Sequence, residues 1–261
     1  MSAPLLFERH GAVAHLRLNR PEVLNAINPD LCGRLIDSID EVEADPSLNA
    51  IVISGSGSRA FCSGADLATI KELTGMAKRR FIERAWTALD RLARSPVPSV
   101  AALHGFVLGG GLELAIACDL RIAEPGTTFG LPEITLGGVP AFGAIQRLPK
   151  LVGYGRALEL ALTGRRFDEK EAQALGLLTA VAEEGKVVEE ALALAAKIAS
   201  RPPEALRYLK LSFAAGVDGQ TAAGLHGLIS EACHRNPVYQ SQISRFARTE
   251  RRGPPKSKQN T

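Results

Sequence analysis

Two glutamates and a run of three glycines carry the chemistry that this sequence can do. In Pro98-Ser99-Val100-Ala101-Ala102-Leu103-His104-Gly105-Phe106-Val107-Leu108-Gly109-Gly110-Gly111-Leu112-Glu113-Leu114, a strand-like stretch enters the glycines and leaves them as an apolar helical stretch. Glycines let the backbone approach a bound group closely. A helix that starts there aims its free N–H groups at the same place, which makes an anion site without a cation. Glu113 follows at once, alone among Leu112, Leu114, Ala115, Ile116 and Ala117. A carboxyl in such surroundings is desolvated, and its pKa moves toward the range of a working acid or base. Pro132-Glu133-Ile134 repeats the pattern, one carboxyl between apolar neighbours after a proline that fixes its approach. Taken singly, Glu113 also reads as compensation of a helix dipole and Glu133 as a turn cap. Together with the glycine loop they form a set of one general base, one general acid and backbone donors for charge on a carbonyl oxygen. Such a set fits proton transfer next to a carbonyl.

The elements that must position these groups are visible in the periodicity. Ala12 to Leu18 alternates and Ala50 to Ser54 is a short β-branched run, so both read as strands. Between them Leu31, Leu35, Ile39 and Val42 recur at helical spacing, with Pro29 and Asp30 suited to a first turn. Met76 to Ala93 predicts a further amphipathic helix. Ser99 to His104 reads as a strand, Gly109 to Gly111 as a turn, Leu112 to Cys118 as a buried helix and Leu120 to Ala123 as a strand. Strands alternating with helices predict α/β architecture with crossover connections. Past Gly143 the pattern turns helical. Asp168 with Glu171 forms an N-cap signature, Val187 to Ser200 is rich in Ala and Leu, and helices are expected over 203–215, 219–233 and 238–248. The expected division is an α/β core over 1–195 and a C-terminal helical region with a basic tail over 196–261.

Composition excludes several classes. Of 261 residues, 46% are hydrophobic and 23% charged, which fits an ordinary globular protein rather than a disordered or fibrous one. No apolar run reaches the roughly 18 residues of a membrane span. The N-terminus has no basic stretch followed by an apolar one, so a cytoplasmic location is expected. Cys32, Cys62, Cys118 and Cys233 form no C-x-x-C or Cys/His cluster, and neither a zinc knuckle nor a disulfide framework is expected. His15 and His104 sit in strand patterns and read as structural. There is no G-K-[ST], H-E-x-x-H or G-x-S-x-G. Gly55-Ser56-Gly57-Ser58-Arg59-Ala60 imitates a dinucleotide fingerprint but does not open directly into a helix. The last 17 residues hold six cations against Glu250, whereas the rest of the chain is close to neutral. With Lys78-Arg79-Arg80, this tail gives a nucleic-acid-binding alternative its features, against few aromatics and a nearly balanced charge.

Several further segments carry a resemblance. These are Asn19-Arg20-Pro21 with Leu24-Asn25-Ala26, Ala60-Phe61-Cys62-Ser63-Gly64-Ala65-Asp66-Leu67, His104-Gly105 through Ala115 with Cys118-Asp119, Phe129-Gly130-Leu131-Pro132-Glu133, and Gln146-Arg147-Leu148-Pro149. On these the chain resembles the enoyl-CoA hydratase/isomerase (crotonase) family over almost its whole length. The resemblance implies a spiral core of ββα units and a C-terminal helical region that packs in trimerisation, giving homotrimers or dimers of trimers. It also implies an acyl-CoA thioester substrate, with coenzyme A part of the substrate and no separate cofactor or metal.

By position, the resemblance implies that the backbone N–H groups of Ala65 and Gly110 form an oxyanion hole for the thioester oxygen. Glu113 and Glu133 match the catalytic pair of hydratases, which add water across a trans-2-enoyl-CoA. There Glu113 acts as base toward the water and Glu133 stands near Cα for the proton. Both carboxylates being kept favours a hydratase over a Δ3,Δ2-enoyl-CoA isomerase or other thioester-enolate chemistry, and one branch of the family suggests RNA binding instead. Implied contacts to substrate or coenzyme A are Val23, Leu24, Arg59, Ser63, Asp66, Leu67, Gly109, Pro132, Ala141 and Phe142, and by the resemblance Phe246 with the basic tail corresponds to the C-terminal helix that contributes coenzyme A contacts from a neighbouring subunit. The stretch Pro140-Ala141-Phe142-Gly143-Ala144-Ile145-Gln146-Arg147-Leu148 departs from the usual hydratase pattern, and Phe142 and Ile145 are expected to reshape the pocket.

Overall fold

Short apolar strands that are buried on both faces build two sheets, and the chain alternates between them. The computed structural model describes residues 3–215 and 219–250. The first compact unit ends at Arg201 and the second begins at Pro202, six residues beyond the expected division, because the helix Val187–Ala199 packs on the large sheet.

In chain order the first unit contains β1 (Leu5–His10), β2 (Val13–Leu18), α1 (Pro29–Ala44), β3 (Ala50–Gly55), β4 (Ala60–Cys62), α2 (Leu67–Glu72), α3 (Gly75–Arg94), β5 (Ser99–Leu103), β6 (Phe106–Leu108), α4 (Gly110–Ala117), β7 (Leu120–Ala123) and β8 (Thr128–Gly130). It continues through α5 (Ala144–Val152), α6 (Tyr154–Thr163), β9 (Arg166–Asp168), α7 (Glu169–Ala174), β10 (Ala180–Val181) and α8 (Val187–Ala199). Single 3-10 turns span Pro21–Val23 and Pro132–Leu136. The large sheet has the order β1-β2-β3-β5-β7-β10 and the small one β4-β6-β8-β9. Each of the pairs β3/β4, β5/β6 and β7/β8 adds one strand to each sheet before the chain crosses back. The pairings β2–β3, β3–β5, β5–β7, β4–β6 and β6–β8 are all parallel. This is a spiral of ββα turns, in an α/β chain as expected.

One face of the large sheet, with Leu16, Leu18, Ile51, Ile53 and Leu103, closes on α1, α3 and α4 in the main core. The opposite face, with Val13, Val52 and Val100, is covered by Ala191, Ala195 and Ala199 of α8. The period of two in the strands therefore feeds two separate cores. Cys32, Cys62 and Cys118 are buried thiols outside any disulfide, and burial pushes the first two up to about 12. Cys233 is half-buried.

The sequence reading missed β1 because Leu5-Leu6-Phe7-Glu8-Arg9-His10 does not alternate. It is an edge strand, fully buried only at Leu5, and held antiparallel on β2. The strands Thr128–Gly130 and Arg166–Asp168 were missed as well, being three residues each. Asp168 caps α7 as expected, accepting from the Glu171 N–H at 2.9 Å.

The second unit consists of α9 (Pro203–Ala215), α10 (Gly219–Arg235) and α11 (Pro237–Glu250). The side chains of Phe246 and Arg248 and all of residues 251–261 lie outside the described residues, including the cations Arg251, Arg252, Lys256 and Lys258. Among the described residues, no helix is long and apolar enough to cross a membrane.

Candidate active site

Three consecutive glycines meet three different neighbours, and this builds the site. Gly109 is the N-cap of α4 at φ 52°, ψ −125°, a backbone conformation for which glycine is suited. A Cβ there would lie 2.8 Å from Glu133 Oε1. A Cβ on Gly110 would lie 2.9 Å from the Phe142 ring and 3.4 Å from the Ala65 nitrogen. A Cβ on Gly111 would lie 2.1 Å from the Cys62 carbonyl oxygen. The helix thus begins at Gly110 rather than at Leu112, because the glycines are packed helix and not an open turn.

The loop facing α4 comes from β4. Ile27 N–H donates to the Gly64 carbonyl and Asp66 N–H to the Ile27 carbonyl, 2.8 Å each, in a parallel bridge between Ile27 and Ala65. The central residue of such a bridge turns its own N–H away from the partner. The Ala65 N–H is therefore left beside Gly110, whose N–H is one of the unbonded donors of a helix's first turn. Ser63 N–H donates to the Leu24 carbonyl at 3.0 Å, which draws Val23 and Leu24 against the Ser63–Leu67 loop.

Glu113 is 1% exposed. Its Oε1 accepts from the N–H groups of Phe142 (2.8 Å) and Ala144 (2.9 Å). Burial raises its pKa to about 7, helped by the charge of Glu133 and opposed by those N–H groups. Glu133, the second residue of the turn that Pro132 opens, is half-buried; burial raises its pKa too, and its buried Oε2 has no hydrogen-bond partner. The structure therefore brings Glu113, Glu133, Gly109, Gly110, Ala65 and Phe142 together. Two carboxyls of raised pKa beside two backbone donors can pass protons while holding a developing oxyanion.

Other predicted residues are placed less directly. The Asp66 carboxylate caps α2, accepting from Ala68 and Thr69 N–H (3.1 Å each), and pairs with Arg20 at 2.9 Å. Burial alone would raise it, but these bonds hold it below the usual carboxylate range. Leu67 is exposed, Val23 less so, and Ala141 packs on the core beside Phe142. Arg59 is exposed, and what fixes it is its carbonyl, which accepts from Phe106 N–H. The departures separate: Phe142 is buried, edge-on to Phe81 at 6.0 Å, whereas Ile145 is exposed along an apolar groove with Leu131, Pro140, Leu148, Tyr154 and Leu158.

Four supporting residues went without a role in the sequence reading. Asn25, fully buried at φ 56°, donates to the Ser56 and Ala60 carbonyls (2.9 Å each) and accepts from Arg20 N–H. Arg147 donates to the Phe142 carbonyl and pairs with Asp90, both at 3.0 Å, with its guanidinium 5.4 Å over the Trp86 ring. Asn25, Arg20 and Arg147 stood in the quoted motifs, and that was their only signal.

The enoyl-CoA hydratase/isomerase family model matches residues 8–258. The chain belongs to that family. Among relatives of this hydratase/isomerase family member, the short-chain-enoyl-CoA hydratase of Clostridium acetobutylicum is 37% identical over 213 residues, 82% of each chain. The crotonyl-CoA hydratase of Syntrophomonas wolfei is 37% identical over 206 residues, 79% of each. The crystal structure of enoyl-CoA hydratase from Bacillus anthracis superposes with a TM-score of 0.90 at 31% identity, covering 94% of this chain and 96% of that one.

Proposed function

We propose that the chain reversibly hydrates a trans-2-enoyl-CoA thioester to the 3-hydroxyacyl-CoA. The observation that carries this reading is the pair Glu113 and Glu133, both raised by burial and electrostatically coupled, beside the Ala65 and Gly110 N–H groups. In this reading those N–H groups hold the thioester oxygen as it gains enolate charge. Glu113 takes a proton from the water whose oxygen bonds to Cβ, and Glu133 delivers a proton to Cα. The C=C double bond is consumed, and no electrons leave the substrate. The raised pKa values suit the task, because each group must exchange a proton near neutral pH. The relatives named for enoyl-CoA hydration support the same reading.

The test is loss of the conjugated enoyl-thioester absorbance of crotonyl-CoA. The parent is expected to be active, with Glu113→Gln and Glu133→Gln each lowering kcat by roughly 10²–10⁴. An inert parent, or turnover of a 3-enoyl-CoA faster than hydration of the 2-enoyl isomer, would overturn it, the second result in favour of an isomerase. The same reading gives homotrimers or paired trimers assembled through the C-terminal helices, where Leu209, Phe213 and Leu228 are exposed. Light scattering that returned a monomer would contradict that part.

A further inference from the structure

The edge hairpin of the large sheet gathers three metal-type donors that the enoyl-CoA reading does not use. Glu8 and His10 are two apart on β1 and share a face, and His15 on β2 is the cross-strand partner of Glu8. Glu8 Oε2 lies 3.6 Å from His15 Nδ1 and 3.8 Å from His10 Nε2, and the three donor atoms lie within 4.8 Å of one another. In a tetrahedral site with bonds of about 2.0–2.1 Å, ligand atoms stand roughly 3.4 Å apart. The Glu8 pairs need only a small contraction, which the exposed His10 ring can supply.

The second observation is the His15 ring itself. It is 4% exposed, and its Nδ1 is buried without a hydrogen-bond partner. An orphaned buried nitrogen is costly unless something occupies it. The other ring nitrogen, Nε2, is 2.7 Å from Ser54 Oγ on β3, also buried. Metal-bound histidines are oriented this way, with the second nitrogen held by a hydrogen-bonding partner. Arg17 pairs with Glu8 Oε1, which fixes the carboxylate and leaves Oε2 turned to the histidines. Its charge also opposes a cation, so the site is weaker than one free of arginine. Arg9, on the opposite face of β1, is engaged by Asp45.

We propose that Glu8, His10 and His15 form a binding site for a divalent transition-metal ion such as Zn²⁺, tying the edge strand β1 to β2. Two imidazoles and one carboxylate are a donor set that such ions accept, with the remaining position open to water. Sequence spacing did not reveal the cluster, because it forms only when β1 and β2 pair.

The experiment is calorimetric titration of the chelator-treated full chain with zinc chloride, with thermal unfolding measured alongside. One ion per chain is expected, and a Tm that rises with zinc. His10→Ala and Glu8→Gln, both at accessible positions, are expected to weaken binding at least tenfold and to abolish the Tm rise. Ser54→Ala is expected to weaken it by about 10–100-fold, as loss of such an orienting partner does elsewhere. His234→Gln, in the C-terminal unit, is expected to leave it unchanged. Absence of uptake at millimolar zinc would overturn the proposal, as would uptake of equal affinity in the parent, His10→Ala and Glu8→Gln. Neither result bears on crotonyl-CoA turnover, so the two readings fail separately.

Discussion

Glu113 and Glu133 are both pushed up by burial, yet the chain holds them by opposite means. Glu113 stands in the first turn of α4, every residue of which is buried, and two backbone N–H groups grip one of its oxygens. Glu133 stands on a five-residue 3-10 turn that ends on exposed Leu136 and leads to exposed Val139; one of its oxygens lies against Gly109 and the other is orphaned. A helix in the core fixes a carboxyl so firmly that only its proton can come and go. A surface turn leaves a carboxyl with spare hydrogen-bonding capacity, which a substrate water can fill. If the hydratase reading holds, the first is suited to a fixed base and the second to a group completed by its substrate.

The largest effect separating them is in stability against pH. The unfolded chain ionises Glu113 near 4.5, whereas the folded chain holds its proton to about 7. The contribution of Glu113 to stability is therefore full below 4.5 and is lost as pH rises through 7, by about 3 kcal/mol at most. Glu113→Gln has nothing to ionise. Urea unfolding should find it more stable than the parent by up to that amount at pH 8, and close to the parent at pH 4.5. Glu133→Gln should show a smaller gap, since its carboxyl is less buried. A pH-independent gap for Glu113→Gln would break the comparison at its base.

A second test strikes the turn that carries Glu133. Gly109→Ala puts a methyl group 2.8 Å from Glu133 Oε1, too close for the carboxyl to stay in place, and forces a positive φ on alanine. Displacing the carboxyl by about 1 Å should cost about 10²-fold in kcat. Gly137→Ala also forces a positive φ, at 74°, but its Cβ meets nothing within 4 Å. It should lose stability by roughly 1–2 kcal/mol while keeping kcat. Equal losses of kcat in both variants would mean that backbone strain, not contact with Glu133, is what Gly109 relieves.

What was legible in the sequence follows the same division. A lone charge among apolar residues, or three glycines after a strand, is a local anomaly, so Glu113, Glu133 and the glycine loop stood out. The strand β2 and the helix α1 were legible because their apolar residues repeat with a regular period, and β3, β5 and β7 because they are short apolar runs, buried throughout in β3 and β5. What holds the site was not. Asp90 lies within the amphipathic helix expected over 76–93 and Arg147 within a quoted motif, and their ion pair spans 57 positions. Asn25 gains meaning only once β3 and β4 fold over it, and Glu8, His10 and His15 only once the edge hairpin registers. Pairwise geometry across long separations has no periodic signature.

Arg147 offers the finest test, because it acts on Glu113 alone of the two carboxyls. Its guanidinium holds the Phe142 carbonyl, and the N–H groups of Phe142 and Ala144 hold Glu113. It also interacts with Glu113 through charge. Arg147→Gln removes one hydrogen bond beneath the loop and a cation near the carboxylate, so kcat should fall by roughly tenfold. The loss of a nearby positive charge disfavours ionised Glu113, and the acid limb of the pH–rate profile should move to higher pH. Arg147→Lys, which keeps the charge but not the fork, should leave that limb in place while still lowering kcat. A merely structural role would lower stability in both variants and shift neither profile, and that result would detach Arg147 from the hold on Glu113.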